Sequence, residues 1–149
     1  YKGFDFLLFG TGAGGNEILP QAWRIDRPYC NNYSWFYENS WTPTKTDAKF
    51  PAVANWSKDA YSSDLTIFDG SYFKIKQIQL GYTIPTSLTS KAHISNLRVF
   101  ASLDNFITFT KYIGLDPEAA SANTSNSLGI DMGTYPTAKQ VIFGINLSF

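Results

Sequence analysis

The sequence predicts an all-β protein built from long antiparallel strands of the kind that form an outer-membrane β-barrel. Three observations predict it. The run Val141-Ile142-Phe143-Gly144-Ile145-Asn146-Leu147-Ser148-Phe149 has Val141, Phe143, Ile145, Leu147 and Phe149 on one parity, with small or polar Gly144, Asn146 and Ser148 on the other. Side chains alternate faces along a strand, so one face is apolar and the other mostly polar, and the run stops on an aromatic residue. Four such runs are joined by connections of very unequal length, the asymmetry of short periplasmic turns and long external loops. Aromatic residues make up 17% of the chain and charged residues 16%, a balance that suits a surface facing lipid or sugar. A half-buried edge strand of a secreted, glycan-binding β-sandwich would share the alternation and the aromatics. It would not account for Phe149 or the loop asymmetry.

The first strand is expected over residues 3–10, where Phe4, Phe6 and Leu8 alternate with Asp5, Leu7 and Phe9 before the Gly12-Ala13-Gly14-Gly15 cluster releases the chain. The second is expected over 71–84. Ile78, Leu80, Tyr82 and Ile84 share a parity, whereas Phe73 and Ile75 have the opposite one, so a bulge is predicted near Lys76-Gln77. Pro85 ends this strand. The third is expected over 96–110, with Leu97, Val99, Ala101, Leu103, Ile107 and Phe109 on one parity and Asn105 marking a bend. The fourth is expected over 135–149. The connection from Pro85 to Ser95 is short, whereas 15–70 and 111–134 are long and read as external loops. Four strands cannot close a barrel, because the smallest membrane barrels use eight, so the chain reads as a piece of a larger one or as paired by another chain. Tyr1-Lys2-Gly3-Phe4 already looks like the inside of a strand, and the start is expected to be a cut.

In this register Leu80, Tyr82, Phe143, Ile145 and Leu147 face lipid. Asp5, Lys74, Lys76, Arg98 and Asp104 fall on the inward or rim parity, away from a lipid face where a Lys or Arg would cost about 2–4 kcal/mol at midplane. The chain has 149 residues, enough for a sizeable core, and 12 basic residues balance 12 acidic ones. No basic excess attracts nucleic acid. Cys30 is alone, so no internal disulfide can form, and no apolar run is long enough for a transmembrane helix.

All four tryptophans, Trp23, Trp35, Trp41 and Trp56, lie in the first long loop with Tyr29, Tyr33, Phe36 and Tyr37. Such rings either pack as the loop's own core or meet a sugar, a peptide or a protein partner. Residues 31–38 are expected to form a short helix with Asn32 as its cap. Asp116 and Glu118 flank Pro117; lacking further oxygen ligands, they read as a solvated turn rather than a calcium site. His93 lies near Ser90 and Ser95, but no orienting group or oxyanion site accompanies it. No catalytic residue, metal site or cofactor is expected, and the chain does not read as an enzyme.

Several runs together resemble the carboxy-terminal end of SusC/RagA-type TonB-dependent outer-membrane transporters of Bacteroidetes. They include Tyr1-Lys2-Gly3-Phe4-Asp5-Phe6, Trp41-Thr42-Pro43, Asp69-Gly70-Ser71-Tyr72-Phe73-Lys74-Ile75-Lys76, Leu80-Gly81-Tyr82-Thr83-Ile84-Pro85 and Ile94-Ser95-Asn96-Leu97-Arg98-Val99. The series continues through Asn105-Phe106-Ile107-Thr108-Phe109-Thr110-Lys111-Tyr112, Gly114-Leu115-Asp116-Pro117-Glu118, Gly133-Thr134-Tyr135-Pro136 and the final strand. The resemblance implies a barrel of about 22 strands, plugged by an amino-terminal domain, in the outer membrane of a Gram-negative bacterium. It implies a SusD-like surface lipoprotein as lid, TonB as the energy source, and import of glycans or peptides. In that frame Trp23, Trp35, Tyr37, Trp41 and Trp56 are candidates for ligand or lid contact. Gly144, Leu147 and Phe149 fit the family's assembly signal, whereas Ile142 stands where a polar residue is common.

Overall fold

The structure is a computed structural model that describes residues 2–21, 31, 33–52, 63–121 and 128–149. The chain forms two compact units. The first holds the long strands: β1 (Phe4–Ala13), β4 (Tyr72–Thr83), β5 (Asn96–Thr110) and β7 (Gln140–Ser148). They pair antiparallel in the order β1-β4-β5-β7. The second holds three short strands, β2 (Glu17–Pro20), β3 (Phe68–Asp69) and β6 (Ile130–Asp131), in the order β3-β2-β6.

The expected barrel is not what these strands form. The four-stranded sheet is open, with β1 and β7 at its edges, and the second sheet is open and mixed, β2 pairing antiparallel with β3 and parallel with β6. The reason is strand number. Closing a sheet takes at least eight tilted strands, and four long ones leave two unpaired edges. Nothing in the described residues supports a 22-strand barrel.

The predicted bulge is present. Ile75 faces Ile107 and Gln77 faces Asp104, so the register shifts across Lys76, and β1 shifts at the same level between Phe9 and Gly10. Lys76 is the extra residue against β1, which moves Phe73 and Ile75 onto the same face as Ile78 and Leu80. Asn105 adopts φ 60, the left-handed region, opposite this irregularity, and its Nδ2 donates to the Ala138 carbonyl at 3.2 Å.

Strand limits differ from the pattern at two places. β1 runs on to Ala13 through Gly10 and Gly12, because Phe73 lies across both glycines and supplies the cover their missing side chains cannot. β7 begins at Gln140 rather than 135, after an irregular stretch that contains Pro136 and Gly133 with φ 80. The short connection folds as a helical turn, Thr86–Thr89, continued by Ser90–Ala92 and closed by His93 in the left-handed region. No helix of the described residues is long and apolar enough to cross a membrane, which says nothing of strands.

The second unit has its own core. Ile18, Phe36, Phe50, Phe68, Tyr112 and Ala120 are buried together, with Trp35, Leu65 and Ile113 packed against them. Its members come from both long connections, so the two segments read as separate loops fold as one body. The helix Ser34–Glu38 starts at Tyr33, with no side-chain cap; the expected cap, Asn32, lies outside the described residues. Asp116 also departs from expectation. It is buried, not solvated, and its Oδ1 accepts from the Glu118 amide at 3.1 Å, capping the helix Pro117–Ser121, with Pro117 at its first position.

Candidate functional site

The strand register sorts the first unit into two chemically distinct faces. Phe4, Phe6 and Leu8 of β1 align with Tyr82, Leu80 and Ile78 of β4. These align with Val99, Ala101 and Leu103 of β5, which in turn meet Ile145, Phe143 and Val141 of β7, and Leu97 meets Leu147. Cross-strand partners share a face, so this side of the sheet carries no charged residue from β1 to β7. It is also open: Phe143 is 79% exposed, Ile145 66%, Phe6 65% and Leu80 53%. Tyr82 is half-buried, its ring tilted against Phe4 with centroids 4.5 Å apart. A shallow apolar depression of about 290 Å³ sits on this face among Phe4, Leu80, Tyr82, Val99, Ala101 and Phe143.

The opposite face is polar and internally bonded. Arg98 donates from Nε to Asp5 Oδ1 at 2.9 Å and from Nη2 to Asp5 Oδ2 at 2.5 Å. Gln77 Nε2 donates to Ser102 Oγ at 3.2 Å, and the Ser102 hydroxyl donates to Asp104 Oδ1 at 2.6 Å. Lys74 is buried, with Nζ donating to Thr137 Oγ1 at 2.8 Å. Among the inward or rim set, Asp5, Lys74, Arg98 and Asp104 share the face opposite Leu80 and Phe143, whereas Lys76 sits at the bulge. Leu7, Phe9, Phe100 and Ile142 also fall on this side, which the alternation alone does not explain.

The aromatic candidates separate. Trp35 makes edge-to-face contacts with Phe36, Phe50 and Phe68, at centroid distances of 5.2, 5.5 and 6.1 Å, and belongs to the core of the second unit. Phe36 and Phe50 lie 4.8 Å apart. Tyr37 and Trp41 are exposed, at 70% and 41%. Trp23 and Trp56 lie outside the described residues. Sequence reasoning missed Phe50 and Phe68, which sit in short segments with no periodicity, and Tyr112 with Asp131. The Tyr112 hydroxyl donates to Asp131 Oδ2 at 2.6 Å, and Asp131 Oδ1 accepts from the Gly133 amide at 2.8 Å. Burial, and then the bond to Asp131, push the Tyr112 phenol far above its usual range. At the exposed Asp69, bonds from Ser71 lower the carboxyl below its ordinary value.

Gly144 and Leu147 lie on opposite faces of β7, and Phe149 is highly exposed just beyond it. Among the described residues, no three of His, Cys, Asp and Glu converge on a point that could hold a metal ion.

No family model matches the chain. Over its full length it is 34% identical to the TonB-dependent receptor P3 of Formosa agariphila and 29% identical to the TonB-dependent receptor SusC of Bacteroides thetaiotaomicron. It spans 15% and 14% of the length of those proteins. Its fold superposes over its full length on solved structures of the RagAB peptide importer, in the open-open and closed-closed states, with a TM-score of 0.78 in each. There the identity is 24% and the chain covers 16% of the importer chain. Similarity to receptors and to an importer is consistent with a chain that is not an enzyme. In sequence and in fold, the chain is therefore similar at family level to the TonB-dependent receptors of the SusC and RagA kind, along a small fraction of their length.

Proposed function

We propose that the chain is a segment of a longer outer-membrane importer of large nutrients, oligosaccharides, glycans or peptides, energised through TonB and covered by a SusD-like lipoprotein. The carrying observation is the uncharged, exposed face that continues across all four long strands. A water-soluble domain rarely shows so extended an apolar surface, whereas a lipid-facing wall requires it. Leu80, Tyr82, Phe143, Ile145 and Leu147 then meet lipid, and the face with Arg98, Asp5 and Asp104 meets the aqueous transport path. The second unit, from the long segments 15–70 and 111–134, forms the external portion, where Tyr37 and Trp41 are among the exposed rings and are available to ligand or lid. A secreted sandwich would have to cover the apolar face with a second sheet of comparable span, and the strands of the other sheet are only two to four residues long.

The test places single environment-sensitive probes on cysteines introduced into the full-length protein with Cys30→Ser, in its native membrane. Probes at Phe143 and Ile145 should report lipid, and probes at Asn146 and Ser148, on the opposite parity of the same strand, should report water. The reversed pattern, or water at all four positions, overturns the reading.

A further inference from the structure

One transverse row crosses the polar face of the four-stranded sheet. Asp5 on β1 is aligned with Gly81 on β4, Gly81 with Phe100 on β5, and Phe100 with Gly144 on β7. Both glycines face occupied space. A Cβ at Gly81 would fall 2.5 Å from each Asp5 carboxylate oxygen and from Arg98 Nη2, and a Cβ at Gly144 would overlap the Phe100 ring. Arg98 thus reaches from β5 over the gap at Gly81 to grip Asp5 with two hydrogen bonds, although β1 and β5 are not neighbours in the sheet. Its guanidinium carbon stands 5.1 Å from the centre of the Phe100 ring, and that ring lies on Gly144 of β7. Three side chains, Asp5, Arg98 and Phe100, therefore run in one line across all four strands, crossing β4 at Gly81 and ending on β7 at Gly144.

The apolar face needs such a device. Its residues repeat with a period of two, so sliding β1 by two residues keeps Phe4, Phe6 and Leu8 on the same side with similar partners. Apolar burial does not distinguish these registers. The polar row does, because a slip of two moves Asp5 from Gly81 to Gln79 or Thr83 and breaks the two-point contact with Arg98. The geometry points to Asp5–Gly81–Arg98–Phe100–Gly144 as a register clasp: it selects one alignment of the edge strands β1 and β7 against the central pair β4 and β5. A two-point ionic contact on the open face is well suited to this work, since its directionality gives alignment where apolar contacts give none.

The experiment reads register directly in the full-length protein carrying Cys30→Ser. A cysteine pair at Phe6 and Leu80 reports the observed register, and a pair at Phe6 and Ile78 reports a slip of two. Asp5→Asn and Arg98→Gln should each raise cross-linking of the slipped pair about fivefold, the range expected for coupled neighbours. The exchange Asp5→Arg with Arg98→Asp should return it toward the parent level. If the single variants do not fold, recovery of folded protein by the exchange supports the clasp equally. Separately, Gly144→Ala should lower the amount of folded protein, and adding Phe100→Ala should restore it. Unchanged register in both single variants, no recovery on charge exchange, or a neutral Gly144→Ala overturns the inference. None of these readouts depends on transport, so the clasp and the proposed function fail independently.

Discussion

Tyr112 shows how one polar atom is housed in an apolar core. Its ring packs with Ile18, Phe36, Phe50 and Phe68, while its hydroxyl is satisfied by Asp131, whose second oxygen is held by the Gly133 amide. Removing the hydroxyl leaves a carboxylate oxygen of a buried residue without its donor, at a cost of about 1–3 kcal/mol. Tyr112→Phe should therefore lower the thermal midpoint of the second unit at neutral pH, read from the near-ultraviolet circular dichroism of its aromatic cluster. The raised phenol adds a pH effect of definite sign. An unfolded tyrosine ionises near pH 10, whereas the folded one stays protonated well above that. Its contribution is complete below about pH 10 and is lost as pH rises through the alkaline window above it. Wild type should lose stability more steeply than Tyr112→Phe above pH 10, and parallel slopes would refute this account. The pair was not legible in the sequence, because Tyr112 and Asp131 are joined only by the tertiary fold.

At the scale of elements, legibility follows length. β1, β4, β5 and β7 announce themselves because many alternating residues repeat the same choice of face, and the slip at Lys76 was readable as a break in that alternation. β2, β3 and β6 were not, because two to four residues carry no period and their pairing is imposed by the core around Ile18 and Phe68. The four alternating runs coincide with long strands whose limits differ at β1 and β7, whereas the large barrel expected of them is not formed, since alternation specifies faces but not the number of neighbours. Asn105 carries the strain of the bend in β5. Its φ of 60 suits Asn or Gly and disfavours residues branched at Cβ. Asn105→Val should cost about 1–2 kcal/mol by the usual penalty for left-handed backbone. Asn105→Gly should cost less despite losing the bond to Ala138. Equal losses in denaturant midpoint would mean that backbone conformation is not the constraint there.

Over the whole molecule, chemistry is divided between the units. The first offers an apolar face and a polar face on one thin sheet, and the second has a conventional aromatic core. Of the aromatic residues singled out in the sequence, Trp35 is spent on that core, whereas Tyr37 and Trp41 stay at the surface. Alanine at Trp35 should therefore reduce protease resistance of the second unit, a core truncation worth about 3–5 kcal/mol when fully buried and less here. Alanine at Tyr37 or Trp41 should leave protease resistance intact and weaken capture of ligand or lid, measured as uptake by whole cells. If Tyr37→Ala and Trp41→Ala change neither, these rings are not contact residues. The sequence showed that the long segment needed a reason for its aromatics; which ring served which role depended on contacts between distant parts of the chain.

The core of the second unit draws Ile18, Phe36, Phe50 and Phe68 from one connection and Tyr112 and Ala120 from the other, and β2 and β6 zip the two together. Neither connection is thus a free module. Grafting only the longer one from a homologue would set foreign side chains against Tyr112, Ala120 and Ile130, so viable chimaeras require both segments from one parent. Diversification of this unit must then proceed by paired change, with variation in one segment constrained by the sequence of the other.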